Sequence, residues 1–290
     1  MHKIVTYTTK VPNSVAAQIG QIVQDNVTDL SMLGVPPSNA CYPLHQHTLS
    51  TEIFMYIERV GQLDEEAPVR LVTAFADEEQ KTVIGFVLYL PVIRDRKACG
   101  LTYMAVANGH RRKGIATGLL KAVADECPHI ELTCFINKVP FYESFGFHVI
   151  GYRDTQIVLN NRTDPSSGEM AAIWTDPIFK SPQVMQIQGM LMQKHGKKVM
   201  VDAERKLNRL FEELKRKAEQ FVCDRAEQIV GYRRPGGKVV QVSPDRFELF
   251  GVDGINCHGS TEREVWIQAA HLLDKRNEPE LRVAREVKLA

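Results

Sequence analysis

One stretch of this 290-residue chain constrains its fold more than any other: "YMAVANGHRRKGIATGLLKAV", residues 103–123. A strand-like apolar run ends at Val106, and a turn follows with Gly109 and the three cations Arg111, Arg112 and Lys113. From Gly114 the apolar residues Ile115, Leu119, Val123 and Cys127 recur on one side of a helix predicted over 114–126. The strand-like "IELTCF" at 130–135 comes next. A helix between two strands needs a crossover, so the strands are expected to be parallel neighbours in one sheet. The helix start has a chemical consequence. Its first amides have no intrahelical acceptor, and the peptide dipoles favour negative charge there. Glycine lets the backbone approach an anion closely, and the three cations add attraction at longer range.

Two common phosphate loops do not fit. A P-loop ends in Gly-Lys-Ser/Thr, whereas here Lys113 precedes Gly114. The dinucleotide fingerprint needs G-x-G-x-x-G, and Gly109, Gly114 and Gly118 are spaced otherwise.

Around this unit the chain reads as alternating elements. "KIVTYTT" at 3–9 has strand composition. Residues 13–29 have helical spacing through Val15, Ile19, Ile22, Val23 and Val27, with Asn13 or Ser14 as cap. "SMLGVPPSNACYPLHQ" is rich in turn residues and long for a loop, which suggests a lid or a substrate wall. A second helix is predicted over 48–62. Three strands follow, "VRLVTAFA", "TVIGFVLYLPV" and "CGLTYMAV", whose charged linkers suit antiparallel hairpins. After residue 135 come a short helix closed by Gly146 and a hairpin over 148–160.

Arg111-x-x-Gly114-x-Ala116, between a strand and a helix, resembles the acyl-CoA pyrophosphate signature of the GNAT-superfamily N-acetyltransferases. Asn137 and "FYESFGF" at 141–147 resemble the second half of that family's pattern, and the order of elements from residue 2 to about 159 is similar to the family's. The resemblance implies an α+β fold, a mixed central sheet flanked by helices, and acetyl-CoA as cofactor. It also implies roles. Backbone groups of Met104, Ala105 and Val106 would pair with the pantetheine arm. Backbone amides of Arg112, Lys113, Gly114, Ile115 and Ala116 would hold the pyrophosphate, with Arg111 contributing charge. Asn137 would hydrogen-bond the cofactor. Tyr142 would protonate the departing thiolate, since a phenol with a reference pKa of about 10 is a proton donor at neutral pH. The acceptor would be a primary amine, on a protein or a small molecule, attacking the acetyl carbonyl directly. Glu52, His47, His45 and Tyr103 are candidates for the base that deprotonates it.

The polar stretch "NNRTDPSSGEM" marks a boundary, giving a catalytic domain over 1–162 and an accessory α+β domain over 163–290. In the latter, Leu207, Leu210, Phe211, Leu214, Ala218 and Phe221 form the stripe of an amphipathic helix over 201–222. Three short strands are expected in "VVQVS", "RFELFG" and "GINCHG". Thr261 and Glu264 have capping-box spacing for a last helix through Trp266, Ala269, Ala270 and Leu273. This half contains no catalytic motif, which leaves open a second reading: a weakly catalytic protein that binds a partner through its C-terminal domain.

Composition narrows the partners. A net charge of +1 argues against nucleic acid. The six cysteines are scattered, without metal-ligand spacing, and suit reduced thiols in the cytoplasm. No apolar run reaches membrane-spanning length, and homodimerisation is left open by the sequence.

Overall fold

The computed structural model describes residues 2–62, 68–162, 169–231, 238–243, 246–250, 257–259, 265 and 285–287. They fall into two compact units, the first made of residues 1–133, 168–213 and 283–290, the second of 134–167 and 214–282.

The first unit is built on a mixed sheet of β1 (Lys3–Tyr7), β2 (Arg70–Phe75), β3 (Val83–Val92), β4 (Asp95–Val106) and β5 (His129–Cys134), in that order. The pairs from β1 to β4 are antiparallel, and β5 runs parallel to β4 as the crossover requires. The charged stretch expected between the last two hairpin strands lies mostly in β4. The turn is tight, with Arg94 at φ 68° and Val92 already opposite Asp95.

One face of the sheet is covered by α1 (Asn13–Asp25), the short α2 (Val27–Leu30) and α3 (Tyr42–Arg59). Ile19, Val23, Ile53 and Ile57 pack there with Leu71, Phe86, Leu88 and Ala105. The other face carries α4 (Ile115–Glu126). Gly85 brings α4 close, because a Cβ at that position would stand 3.2 Å from Ile115 Cγ2 and 3.3 Å from Leu119 Cδ1. α3 begins at Tyr42, earlier than the expected 48, because Pro43 starts a helix well and needs no amide partner in the first turn. The preceding loop is thereby shortened. It is also tied down: Thr28 Oγ1 donates to Val35 O at 2.7 Å and Asn39 Nδ2 to Ala203 O at 3.2 Å. It is a packed wall.

In the second unit, α5 (Val139–Glu143) precedes Gly146, whose φ of 83° ends the turn, and β6 (His148–Arg153) pairs antiparallel with β7 (Gln156–Asn160). Back in the first unit, β8 (Ala171–Ile173) gives its Ile173 amide to the Tyr56 hydroxyl at 2.9 Å, and α6 (Asp176–Phe179) follows. α7 (Pro182–Gly231) starts in the first unit and ends in the second; Gly196, at φ 78° and ψ 156°, breaks it. The expected helix over 201–222 is therefore only part of a longer one. Before Gly196 the apolar side chains form no continuous stripe: Val184 and Leu191 are buried, while Met185, Met190 and Met192 are exposed. Along the expected stripe Leu207 and Ala218 are buried, and Leu210, Phe211, Leu214 and Phe221 are half-buried. Ala203 and Leu207 close over Val35 and Cys41.

The three expected C-terminal strands are β9 (Lys238–Ser243), β10 (Arg246–Phe250) and a shorter β11 (His258–Gly259), paired antiparallel in sequence order. The Thr261–Glu264 box and the Trp266 helix lie outside the described residues.

Candidate active site

β4 outruns its parallel partner. The ladder to β5 runs from Ala98–His129 to Leu101–Leu132 and stops. Beyond it β4 keeps only β3, with Tyr103, Met104, Ala105 and Val106 opposite Leu88, Val87, Phe86 and Gly85. The register shifts between Leu88 and Tyr89, which makes Thr102 an extra residue, a bulge where the two strands part. Among the described residues, the edge of Met104–Val106 that faces away from β3 has no strand partner. Such an edge offers amides and carbonyls to an extended, amide-bearing ligand.

The edge leads into the cationic turn. Asn108–His110 form one 3-10 turn, Arg112 adopts a φ of 60°, and Gly114 caps α4 at φ 77°. L-residues pay for this left-handed region and glycine does not. No side chain caps α4, so the amides of Ile115, Ala116 and Thr117 have no intrahelical acceptor; Gly118 is the first to find one, in Gly114 O at 3.0 Å. A Cβ built on Gly114 would meet no atom within 4 Å. The space over the turn is open, and its donors suit a pyrophosphate.

The three cations have different duties. Arg111 is held: its Nη2 donates to Asp29 Oδ2 at 2.8 Å and to Asn26 Oδ1, and its Nε reaches Val106 O at 3.4 Å. Asn26 is buried and itself donates to Ile22 O at 2.6 Å. Arg111 thus fastens the turn to α1 and α2. Lys113 Nζ folds back on Gly109 O at 3.0 Å, while Arg112 is exposed. The anchoring pair Asn26 and Asp29 was not legible in the sequence, since neither belongs to a motif and the contact spans more than eighty residues.

On the α3 face of β4, Tyr103 donates its hydroxyl to Glu52 Oε1 at 2.7 Å, and the Tyr56 ring lies 6.3 Å from the Tyr103 ring. Burial raises the Glu52 carboxyl above the usual carboxylate range, and the Tyr103 hydrogen bond only partly offsets this. Burial, then the Glu52 charge, lifts Tyr103 well above the ordinary phenol value; burial pushes Tyr56 up to about 12. Of the four base candidates, the structure brings Glu52 and Tyr103 together. Burial lowers the His45 imidazole below its ordinary value, and neither it nor His47 shares a hydrogen bond with that pair.

In the second unit, Asn137 is exposed on the 3-10 turn Ile136–Lys138. Tyr142 on α5 is buried, with Phe141 and Phe147 edge-on at 5.1 and 5.8 Å. Burial, then the neighbouring Cys134 thiol, raises its phenol, which stays protonated at neutral pH.

Residues 71–149, from β2 into β6, match the family model of the acetyltransferase (GNAT) domain. Among solved structures, the chain is similar to the PaiA N-acetyltransferase from Thermoplasma acidophilum in complex with coenzyme A. That match has 15% identity and a TM-score of 0.44, and covers 56% of this chain and 99% of that one. The ribosomal-protein-S18-alanine N-acetyltransferase from Escherichia coli matches at 15% identity and a TM-score of 0.38, over 57% and 96% of the two chains. A GNAT-family acetyltransferase from Staphylococcus aureus Mu50 matches at 15% and 0.39, over 56% and 100%. No curated protein matches the sequence. Residues 71–149 thus match the acetyltransferase (GNAT) domain, and the mixed sheet with its open β4 edge agrees with that match.

Proposed function

We propose that this enzyme transfers the acetyl group of acetyl-CoA to a primary amine by direct attack, and that residues 104–106 and 112–116 form its cofactor cradle. The observation that carries this reading is the continuity of two unused donor sets. The free β4 edge at Met104–Val106 runs within a few residues into the unpaired amides at the start of α4. An amide-bearing arm that ends in a pyrophosphate matches both in order.

Acetyl-CoA supplies an acetyl group activated as a thioester. The chain's part is orientation and charge. Edge groups of Met104, Ala105 and Val106 hold the arm extended. Amides from Arg112 to Ala116 neutralise phosphate without moving, because Arg111 has already fixed the turn on Asn26 and Asp29. Lys113 and Arg112 add attraction at longer range. A strand amide near Val106 stabilises the negative charge that grows on the acyl oxygen during attack. Asn137 and Tyr142 enter on the strength of the family motif, Asn137 as a cofactor hydrogen-bond partner and Tyr142 as the proton donor to the leaving sulfur. The phenol is in the protonated form which that role needs.

We place the enzyme in the cytoplasm because all six cysteines are free thiols. Among the described residues no helix is long and apolar enough to cross a membrane. The acceptor follows from a turnover screen: full-length protein, acetyl-CoA, and peptides with a free N-terminus, peptides with an internal lysine, and diamines. Thiol release that depends on one amine class identifies the acceptor. Release with none of them overturns the enzymatic reading.

A further inference from the structure

We infer that Glu52 is the acceptor-side base: its carboxylate receives the incoming ammonium beside β4 and takes the proton that must leave before attack, with Tyr103 as the positioning residue. The inference rests on the acetyltransferase reading above and adds the group that reading lacks.

The Glu52 carboxylate carries an uncompensated charge. Glu52 is half-buried between α3 and β4, and among the described residues the one hydrogen bond of its side chain is from the Tyr103 hydroxyl to Oε1. No cation pairs with it there. A carboxylate withdrawn from water without a counter-charge is costly and is relieved by a cation of matching size. Its neighbours are phenols. Tyr103 faces it from β4, and Tyr56 lies one helical turn along α3; the nearby cation, Arg59, acts on the Tyr56 phenol. Both phenols are held in their neutral form, so neither competes as an anion. Oε2 is thus left for a ligand.

Its place in the strand gives the carboxylate its use. Tyr103 directly precedes Met104–Val106, the edge assigned to the acyl donor, so the pair stands beside the carbonyl to be attacked. An alkylammonium has a reference pKa of about 10.4, and at pH 7 only about one part in 10³ is the free amine. The step balances simply. One N–H bond of the ammonium breaks, an O–H bond forms on Glu52 Oε2, and the freed lone pair attacks the acetyl carbon. As the C–S bond breaks, nitrogen loses a second proton to become an amide and sulfur gains one; the proton on Glu52 passes to solvent.

The test compares full-length wild type with Glu52→Gln and Tyr103→Phe. Acetyl-CoA binding is measured first by calorimetry; if wild type fails to bind, the acetyltransferase reading itself falls. Acetyl transfer is then followed to the best alkylamine of the screen and to hydroxylamine, which is neutral at the assay pH. For wild type, kcat/KM with the alkylamine should rise as Glu52 loses its proton and then level off. For Glu52→Gln, transfer at pH 7 should fall about 10²–10³-fold and climb about tenfold per pH unit towards the amine's own pKa. Transfer to hydroxylamine should change by no more than about threefold. Tyr103→Phe should move the acid limb of the alkylamine profile to higher pH, because the hydrogen bond that lowers Glu52 is gone, and should lower the plateau less than Glu52→Gln does. An NMR titration of the Glu52 carboxyl should place it above the usual carboxylate range in wild type. Equal losses on both acceptors, no loss on either, or an ordinary Glu52 titration would each overturn the assignment.

Discussion

Arg111 opens the stretch that resembles a cofactor signature, yet its guanidinium is already engaged, so Arg111→Ala is expected to act first on stability. Its ion pair with Asp29 is partly exposed, at 41% and 39% for the two side chains, and such pairs contribute about 0–1 kcal/mol. The bond to Asn26 matters more. Asn26 is 3% exposed, and without Arg111 its Oδ1 would be a buried acceptor with no donor, which costs about 1–3 kcal/mol. At roughly 2–4 °C per kcal/mol for a protein of this size, the apo protein should melt about 2–16 °C lower. Asp29→Asn, which removes only the exposed charge, should cost less than about 1 kcal/mol. Scanning calorimetry without ligand reads both. Acetyl-CoA affinity should drop only as far as the loosened turn misplaces its amides. An unchanged melting temperature in Arg111→Ala, together with a tenfold or greater loss of acetyl-CoA affinity, would rule out a mainly anchoring role for Arg111. The guanidinium would then serve the phosphates, and its contacts to Asn26 and Asp29 would be incidental.

Tyr142→Phe removes a proton and little else from a buried ring, so kcat should fall by about 10²-fold while acetyl-CoA affinity stays within about a factor of two. An unchanged kcat with a chemistry-limited acceptor would return Tyr142 to the core. A chain ending at residue 162 would lose Ala203 and Leu207 from over Val35 and Cys41, and the Ile173 amide from the Tyr56 hydroxyl. It should be less stable and prone to associate through the uncovered loop, as light scattering and melting would report. A monomeric, equally stable product that binds acetyl-CoA would establish 1–162 as a folding domain in its own right.

What the sequence disclosed, and what it hid, has a physical pattern. The strand–helix–strand unit was legible because apolar periodicity, Gly114 and the charged turn lie within about twenty residues and agree with one another. The β4–β5 parallel pairing followed from it. The start of α3 was misplaced because the turn residues before it resemble a continuing loop, whereas Pro43 in fact opens the helix. The segment before Gly196 stayed silent because exposed methionines and glutamines leave no amphipathic stripe, although propensity still builds a helix. At the site, Gly114 was readable as a local feature, whereas the use of Met104–Val106 came only from the resemblance and the open β4 edge appears only in the fold. The anchoring of Arg111 and the Glu52–Tyr103 pair were not, because each joins side chains that only the tertiary fold brings together.

Calorimetric titration of acetyl-CoA into the full-length protein shows whether the amides around Gly114 hold it. Gly114 sits at φ 77° with open space beside its Cα, where a glutamate side chain would strain the turn and put a negative charge beside the phosphates. Wild type should bind one equivalent saturably. Gly114→Glu, checked as folded by circular dichroism, should bind at least tenfold more weakly, because its carboxylate repels the phosphates and a turn that relaxes to escape the about 1–2 kcal/mol of left-handed strain no longer presents its amides. Equal affinity in the folded variant, or no binding by wild type, would contradict the account.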